Sequence, residues 1–215
     1  RRQRQMCIRD RRKLQLDYID MYLIHSPEPG EESFLQAWKG LEAAVDAGKI
    51  RTIGVSNFDV EHLDALLRNC RIKPAVNQIE SHPFFAHEVL RSQTIERGIQ
   101  IEAYSPMAQG AALEREEIKA IASKHNKTPA QVLLRWGLQL GNIILPKSLT
   151  KHRIEANAQL FDFELDNDDM DVLNGLDEGM KMGKLGPPGT SAPASPGATR
   201  PGSRRGSGSA GLAGN

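Results

Sequence analysis

Tyr22-Leu23-Ile24-His25-Ser26-Pro27 is the first of five short runs that begin apolar and end polar. Gly54-Val55-Ser56-Asn57-Phe58, Val76-Asn77-Gln78-Ile79-Glu80, Ala103-Tyr104-Ser105-Pro106 and Ile144-Leu145-Pro146-Lys147-Ser148 follow in order. Apolar runs that alternate with helical segments imply parallel strands, and parallel strands covered on both faces read as near-continuous apolar stretches. Chemistry-bearing residues gathered at the carboxyl ends of five successive strands point to one face of a (β/α) barrel.

Period places strands near 18–24, 51–55, 75–79, 99–103 and 142–145, with helices between them. In 33–47, Phe34, Trp38, Leu41 and Val45 share one face, and Gly48 follows as the C-terminal stop. Asp59 caps a helix bearing Leu63, Leu66 and Leu67. Helix 87–97 presents Val89, Leu90 and Ile95 and ends at Gly98. Two helices, 114–124 and 129–140, separate the last two strands. The second opens Thr128-Pro129-Ala130-Gln131, a capping box with proline at the first helical position. A last helix, 167–176, follows Asp166. The loop 105–113 lies where a barrel places ligand-covering residues.

Closing an eight-stranded barrel takes about 250 residues. The body at 14–182 supplies only the last five βα units, so the expected fold is α/β, a (β/α)8 barrel incomplete at its front. Residues 1–13 carry seven Arg and Lys against one acid, and they read as a non-native leader. Residues 183–215 are rich in Gly, Pro, Ser and Ala, with no aromatic or acidic residue, and read as a disordered low-complexity tail. Within it, Gly206-Ser207-Gly208-Ser209-Ala210-Gly211 fits a dinucleotide glycine pattern, but no strand precedes it and no helix follows.

The net charge of +1 hides a segregation, because residues 14–182 carry 17 basic and 26 acidic residues, a net of −9. So acidic a body argues against a nucleic-acid surface, and any anion must be held by a local cluster. No apolar run is long enough to span a membrane, and the two cysteines, Cys7 and Cys70, have no metal-ligand spacing. A cytoplasmic protein without a metal is the expectation.

One such cluster is present. Lys147 and Ser148 leave the fifth strand, and Thr150 is placed to cap a helix whose first turn holds Arg153. Two cations, a hydroxyl and backbone N–H groups at a helix start suit an anion. Ser56, Asn57 and Gln78 put amide and hydroxyl groups at two strand ends and suit a carboxamide, although Asn57 alone also reads as a turn residue. Tyr104 offers a face for stacking a ring or packs as a rim aromatic. His25 sits at the same mouth, as a functional group or a satisfied structural one. His62, His82, His87, His125 and His152 read as structural or exposed. Asp168 and Asp169 read as helix-start charges.

Taken together, Leu16-Asp17-Tyr18-Ile19-Asp20, Leu23 to Pro27, Gly48-Lys49-Ile50-Arg51, Gly54 to Phe58, Asn77 to Glu80 with His82-Pro83, Ala103 to Pro106, and Pro146-Lys147-Ser148 with Arg153 and Asn157 closely resemble the aldo-keto reductase family. The resemblance implies a (β/α)8 TIM barrel that binds NADPH or NADP+ in extended form, without a Rossmann fold. It implies that Ser56, Asn57 and Gln78 hold the nicotinamide carboxamide and that Tyr104 stacks on the ring with Ser105 beside it. Lys147, Ser148 and Arg153 would grip the 2′-phosphate, and Asn157 would face the adenine. The family commonly has Glu where Ala156 stands, which implies looser adenine contacts.

The implied reaction is reduction of small aldehydes and ketones, diketo sugars and 2-oxoaldehydes among them, with a monomer as the complete enzyme. His25 would orient and polarise the carbonyl oxygen. The family's Asp, Tyr and Lys precede the residues matched here, so this chain is expected to be inactive alone. The rival expectations are a non-catalytic nicotinamide-binding module and an unrelated phosphosugar barrel. The latter needs a Schiff-base Lys or a catalytic Glu within a strand, and neither is evident.

Overall fold

A computed structural model describes residue 10 and residues 13–183. Most of the leader and all of the tail beyond 183 lie outside the described residues. Five parallel strands form one sheet in sequential order: β1 (Ile19–Ile24), β2 (Ile50–Ser56), β3 (Val76–Glu80), β4 (Gln100–Tyr104) and β5 (Ile143–Leu145). Helices α1 (Glu31–Asp46), α2 (Val60–Asn69), α3 (Glu88–Glu96), α4 (Glu116–Lys124), α5 (Pro129–Gln139), α6 (Lys151–Ala158) and α7 (Asn167–Asn174) accompany them. Strand-to-strand crossovers are right-handed, and a strictly sequential order then lays the crossover helices on one face. This is the (β/α) barrel architecture, with five strands among the described residues.

The helix-covered face is apolar. Ile53, Val55, Ile79, Ile101 and Ala103 are at most 1% exposed. Ile53 and Val55 share a core with Phe34, Trp38 and Leu41 of α1 and Leu63 and Leu66 of α2. A second core joins Ile118, Ile121, Val132, Leu133, Trp136 and Leu173 from α4, α5 and α7. The opposite face departs from the expected apolar character, although Ser56, Glu80 and Glu102 on it are buried. It carries Ser56, Gln78, Glu80, Glu102 and Tyr104, and its β5 residues Ile143 and Leu145 are 43% and 38% exposed. Among the described residues no strand pairs with the outer edge of β1 or β5.

Local start and stop chemistry follows the sequence closely. Gly48 and Gly98 adopt φ of +64° and +66° beyond the ends of α1 and α3, where glycine carries no steric penalty. Asp59, Thr128 and Asp166 each accept the N3 amide of their helices and complete capping boxes. Two readings need correction. Val89 and Ile95 are 56% and 45% exposed, because Leu90 and Thr94, one turn apart, define the buried side of α3. Thr150 precedes α6 but makes no side-chain cap bond. Its own amide instead donates to Ser148 Oγ at 3.2 Å. Among the described residues no helix is long and apolar enough to cross a membrane.

Candidate functional site

The carboxyl ends of β1 to β4 meet in a hydrogen-bonded network centred on Asn57. Ser56 pairs in register with Gln78, and Glu80 with Tyr104, so these groups share one rim. Asn57 leaves β2 with φ of +61°, a conformation asparagine tolerates better than most residues. Its Nδ2 donates to the His25 carbonyl at 2.9 Å and to Ser56 Oγ at 3.0 Å. Its Oδ1 accepts from the Tyr104 hydroxyl at 3.0 Å. Ser56 Oγ in turn donates to the Gln78 carbonyl at 2.8 Å, and Gln78 Nε2 donates to Glu102 Oε2 at 2.8 Å. One amide side chain thus ties β1, β2 and β4 together.

Burial, with Glu80 adding to it, pushes the Tyr104 phenol up to about 12. That direction opposes easy proton release, so the ring face and the donated hydrogen bond are what Tyr104 offers. The His25 backbone is bound into the network, while the residue itself is exposed at the rim.

A cleft of about 900 Å³ adjoins this network. One wall is Ser105, Met107, Gln109 and Leu113 of the loop after β4. The other is Leu145, Lys147, Ser148, Arg153, Ala156 and Asn157, and Thr128 to Ala130 close the end. Arg153 and Asn157 lie four residues apart on α6 and face the same way. Two charges on the walls cancel, because Lys119 pairs with Glu114 at 3.0 Å. Lys147 and Arg153 are exposed and have no acidic partner among the described residues. The cleft therefore presents net positive charge at one end and adaptable apolar walls at the other. The amides at the start of α6 contribute less than expected, since those of Thr150 and Arg153 are taken by Ser148 Oγ and the Thr150 carbonyl.

The ten residues singled out by sequence therefore fall into two adjoining groups. His25, Ser56, Asn57, Gln78 and Tyr104 form the rim network. Ser105, Lys147, Ser148, Arg153 and Asn157 line the cleft. His152, read as structural or exposed, also lines it. Among the described residues no group of three or more His, Cys, Asp or Glu is arranged to hold a metal.

Four residues of the setting escaped the sequence reading. Asn77, fully buried, exchanges hydrogen bonds with Phe58: Nδ2 to its carbonyl at 2.8 Å and Oδ1 from its amide at 3.4 Å. This pins the turn that holds Asn57. Gln131 donates to the carbonyls of Ala156 and Gln159 at 3.3 and 3.0 Å, which anchors the end of α6. Glu80 is 2% exposed beneath Tyr104, and Glu102 orients Gln78. An acid or amide inside an otherwise apolar strand was the available signal for Asn77, Glu80 and Glu102. For Gln131 the capping box explained the residue without its second task.

The sequence profile of the Aldo/keto reductase family matches residues 1–178. Glyoxal reductase of Bacillus subtilis is 50% identical over 171 residues, which cover 80% of this chain and 61% of that protein. Methylglyoxal reductase DkgA of Escherichia coli is 40% identical over 185 residues, covering 85% and 67%. The crystal structure of an aldo/keto reductase from Brucella melitensis superposes with a TM-score of 0.79 at 40% identity, covering 81% of this chain and 66% of that one. An aldo-keto reductase enzyme from a Medee basin deep-sea metagenome library gives a TM-score of 0.81 at 37% identity, covering 83% and 66%. The chain spans about three fifths of the length of most of the curated relatives it matches. Profile, sequence and fold agree, and the chain belongs to the aldo/keto reductase family.

Proposed function

We propose that this chain forms the cofactor-holding part of an NADPH-dependent carbonyl reductase. The observation that carries the reading is the pair Lys147 and Arg153, two cations with no acidic partner among the described residues, on a cleft that opens beside Tyr104. A phosphate monoester is the complement of such a pair, since charge-assisted bonds to phosphate are the strong ones. The 2′-phosphate would lie between Lys147, Ser148 and Arg153, and the adenine would lie against Asn157 and the space left by Ala156. The nicotinamide end would reach the rim, with its carboxamide on Ser56, Asn57 and Gln78 and its ring on Tyr104 beside Ser105.

When bound, the reduced cofactor supplies a hydride. This chain's residues hold and orient it, and His25 at the exposed rim would direct the carbonyl oxygen of a small substrate. The relatives named as glyoxal and methylglyoxal reductases favour 2-oxoaldehydes and other small aldehydes and ketones as that substrate class. Tyr104, held near 12 and donating to Asn57, is poorly suited to protonate an alkoxide. That observation favours, as a second reading, binding without turnover by this chain alone.

NADPH and NADH titrations of the chain and of Arg153→Ala, followed by tryptophan fluorescence or calorimetry, test the reading. Losing one exposed charge-assisted bond costs about 1.5 kcal/mol, so NADPH affinity should fall roughly tenfold. NADH affinity should stay unchanged. Equal losses for both cofactors would refute the 2′-phosphate assignment.

A further inference from the structure

Glu80 has no part in the cofactor scheme, yet its carboxylate is 2% exposed at the mouth end of β3. An ionised carboxylate persists in such a place only with good partners. Two of its partners come from more than a hundred residues away. The Met182 amide donates to Oε1 at 2.7 Å and the Gly183 amide to Oε2 at 2.8 Å, while His82 Nε2 lies 3.2 Å from Oε1. Burial pushes the carboxyl up, but these hydrogen bonds outweigh it and hold the group below the usual Glu value. Four residues further along, the Phe84 carbonyl accepts from the amides of Met180 and Glu178 at 2.8 and 3.3 Å. The segment 178–183 is therefore tied by its backbone to the end of β3.

That tie brings the segment against the proposed nicotinamide rim. A Cβ added to Gly183 would lie 2.9 Å from Glu80 Oε2 and 3.1 Å from the Tyr104 hydroxyl. The Tyr104 phenol is thus confined between Asn57 Oδ1 on one side and the Gly183 backbone on the other. A ring held on both sides keeps one orientation, as stacking requires.

We propose that Glu80 is a positioning residue: its carboxylate clamps the segment 178–183 across the edge of Tyr104 and so builds one wall of the nicotinamide subsite. The clamp rests on the geometry alone, and its consequence for the cofactor rests on the function proposed above. Glu80→Gln replaces one acceptor oxygen with an NH2 group that faces a backbone donor, which breaks one of the two amide bonds.

The test is hydrogen–deuterium exchange on the ligand-free, full 215-residue chain, paired with titrations of NADPH and of 2′,5′-ADP, which lacks the nicotinamide. In Glu80→Gln the amides of Met182 and Gly183 should exchange at least about tenfold faster, as expected when local opening becomes easier. NADPH should bind several-fold more weakly while 2′,5′-ADP is unaffected. Should Glu80→Gln fail to fold, Gly183→Val displaces the same segment without altering the buried carboxylate and should give the same pattern. Unchanged exchange in these variants would overturn the clamp. Faster exchange with unchanged NADPH affinity would overturn its role at the nicotinamide. If the parent chain binds neither nucleotide, the proposed function fails, and exchange at Met182 and Gly183 still decides the clamp.

Discussion

Replacing Asn77 by Ala removes a side chain that touches no proposed ligand, yet it should damage both stability and the rim. Asn77 is fully buried, and its amide satisfies the carbonyl and the amide of Phe58 at 2.8 and 3.4 Å. Alanine leaves both backbone groups buried without a partner. A buried group that loses its hydrogen bond costs about 1–3 kcal/mol, with the longer bond at the low end, so the sum is about 2–4 kcal/mol. With a urea dependence of about 2 kcal/mol per molar, the unfolding midpoint should fall by about 1–2 M. Trp38 and Trp136, each 1% exposed in a different core, report the transition by fluorescence. The turn at Phe58 also holds Asn57 at φ of +61°, so variant chains that remain folded should bind NADPH more weakly. A midpoint within about 0.2 M of the parent would refute the argument that this turn is held by Asn77.

Two further outcomes follow from contacts at the far side of the sheet. The Lys124 ammonium, with the Asp169 amide, holds the Asp166 carboxyl at about 2, against an ordinary 3.8. A depressed carboxyl stabilises the fold above its unfolded value and loses that effect as pH falls through its folded value. Thermal midpoints should therefore drop between about pH 4 and pH 2, and Asp166→Asn should flatten that drop; an unaltered acid slope in the variant would contradict the assignment. Gln131→Ala removes half of a capping box and both bonds to the end of α6. It should cost about 1–2 kcal/mol in urea unfolding, and 2′,5′-ADP affinity should fall with it because α6 carries Arg153 and Asn157.

Short-range signals explain why so much of the fold was legible. The cap at Asp59, the capping box at Thr128 and the stops at Gly48 and Gly98 depend on residues within four positions of one another, and all are as expected. Strand ends were legible because polar residues interrupt apolar runs, and the same signal gathered Ser56, Asn57, Gln78 and Tyr104 on one rim. What escaped depends on partners distant in sequence. Glu80 meets Met182 and Gly183 across more than a hundred residues, and no local pattern announces that return. Val89 and Ile95 looked like core because they are apolar, but the packed side of α3 is set by which strand it crosses. Thr150 had the right type for a cap, but Ser148 Oγ already holds the amide that precedes α6.

In the proposed function the cleft beside β5 holds the phosphate-bearing half of NADPH. Calorimetric titration of the chain with 2′,5′-ADP and with 5′-AMP isolates that half, because the two ligands differ chiefly in the 2′-phosphate. 2′,5′-ADP should bind at least about tenfold more tightly, the difference should shrink with added salt, and Arg153→Ala should remove most of it. Equal affinity for the two nucleotides, or a preference that survives in Arg153→Ala, would contradict the proposed function.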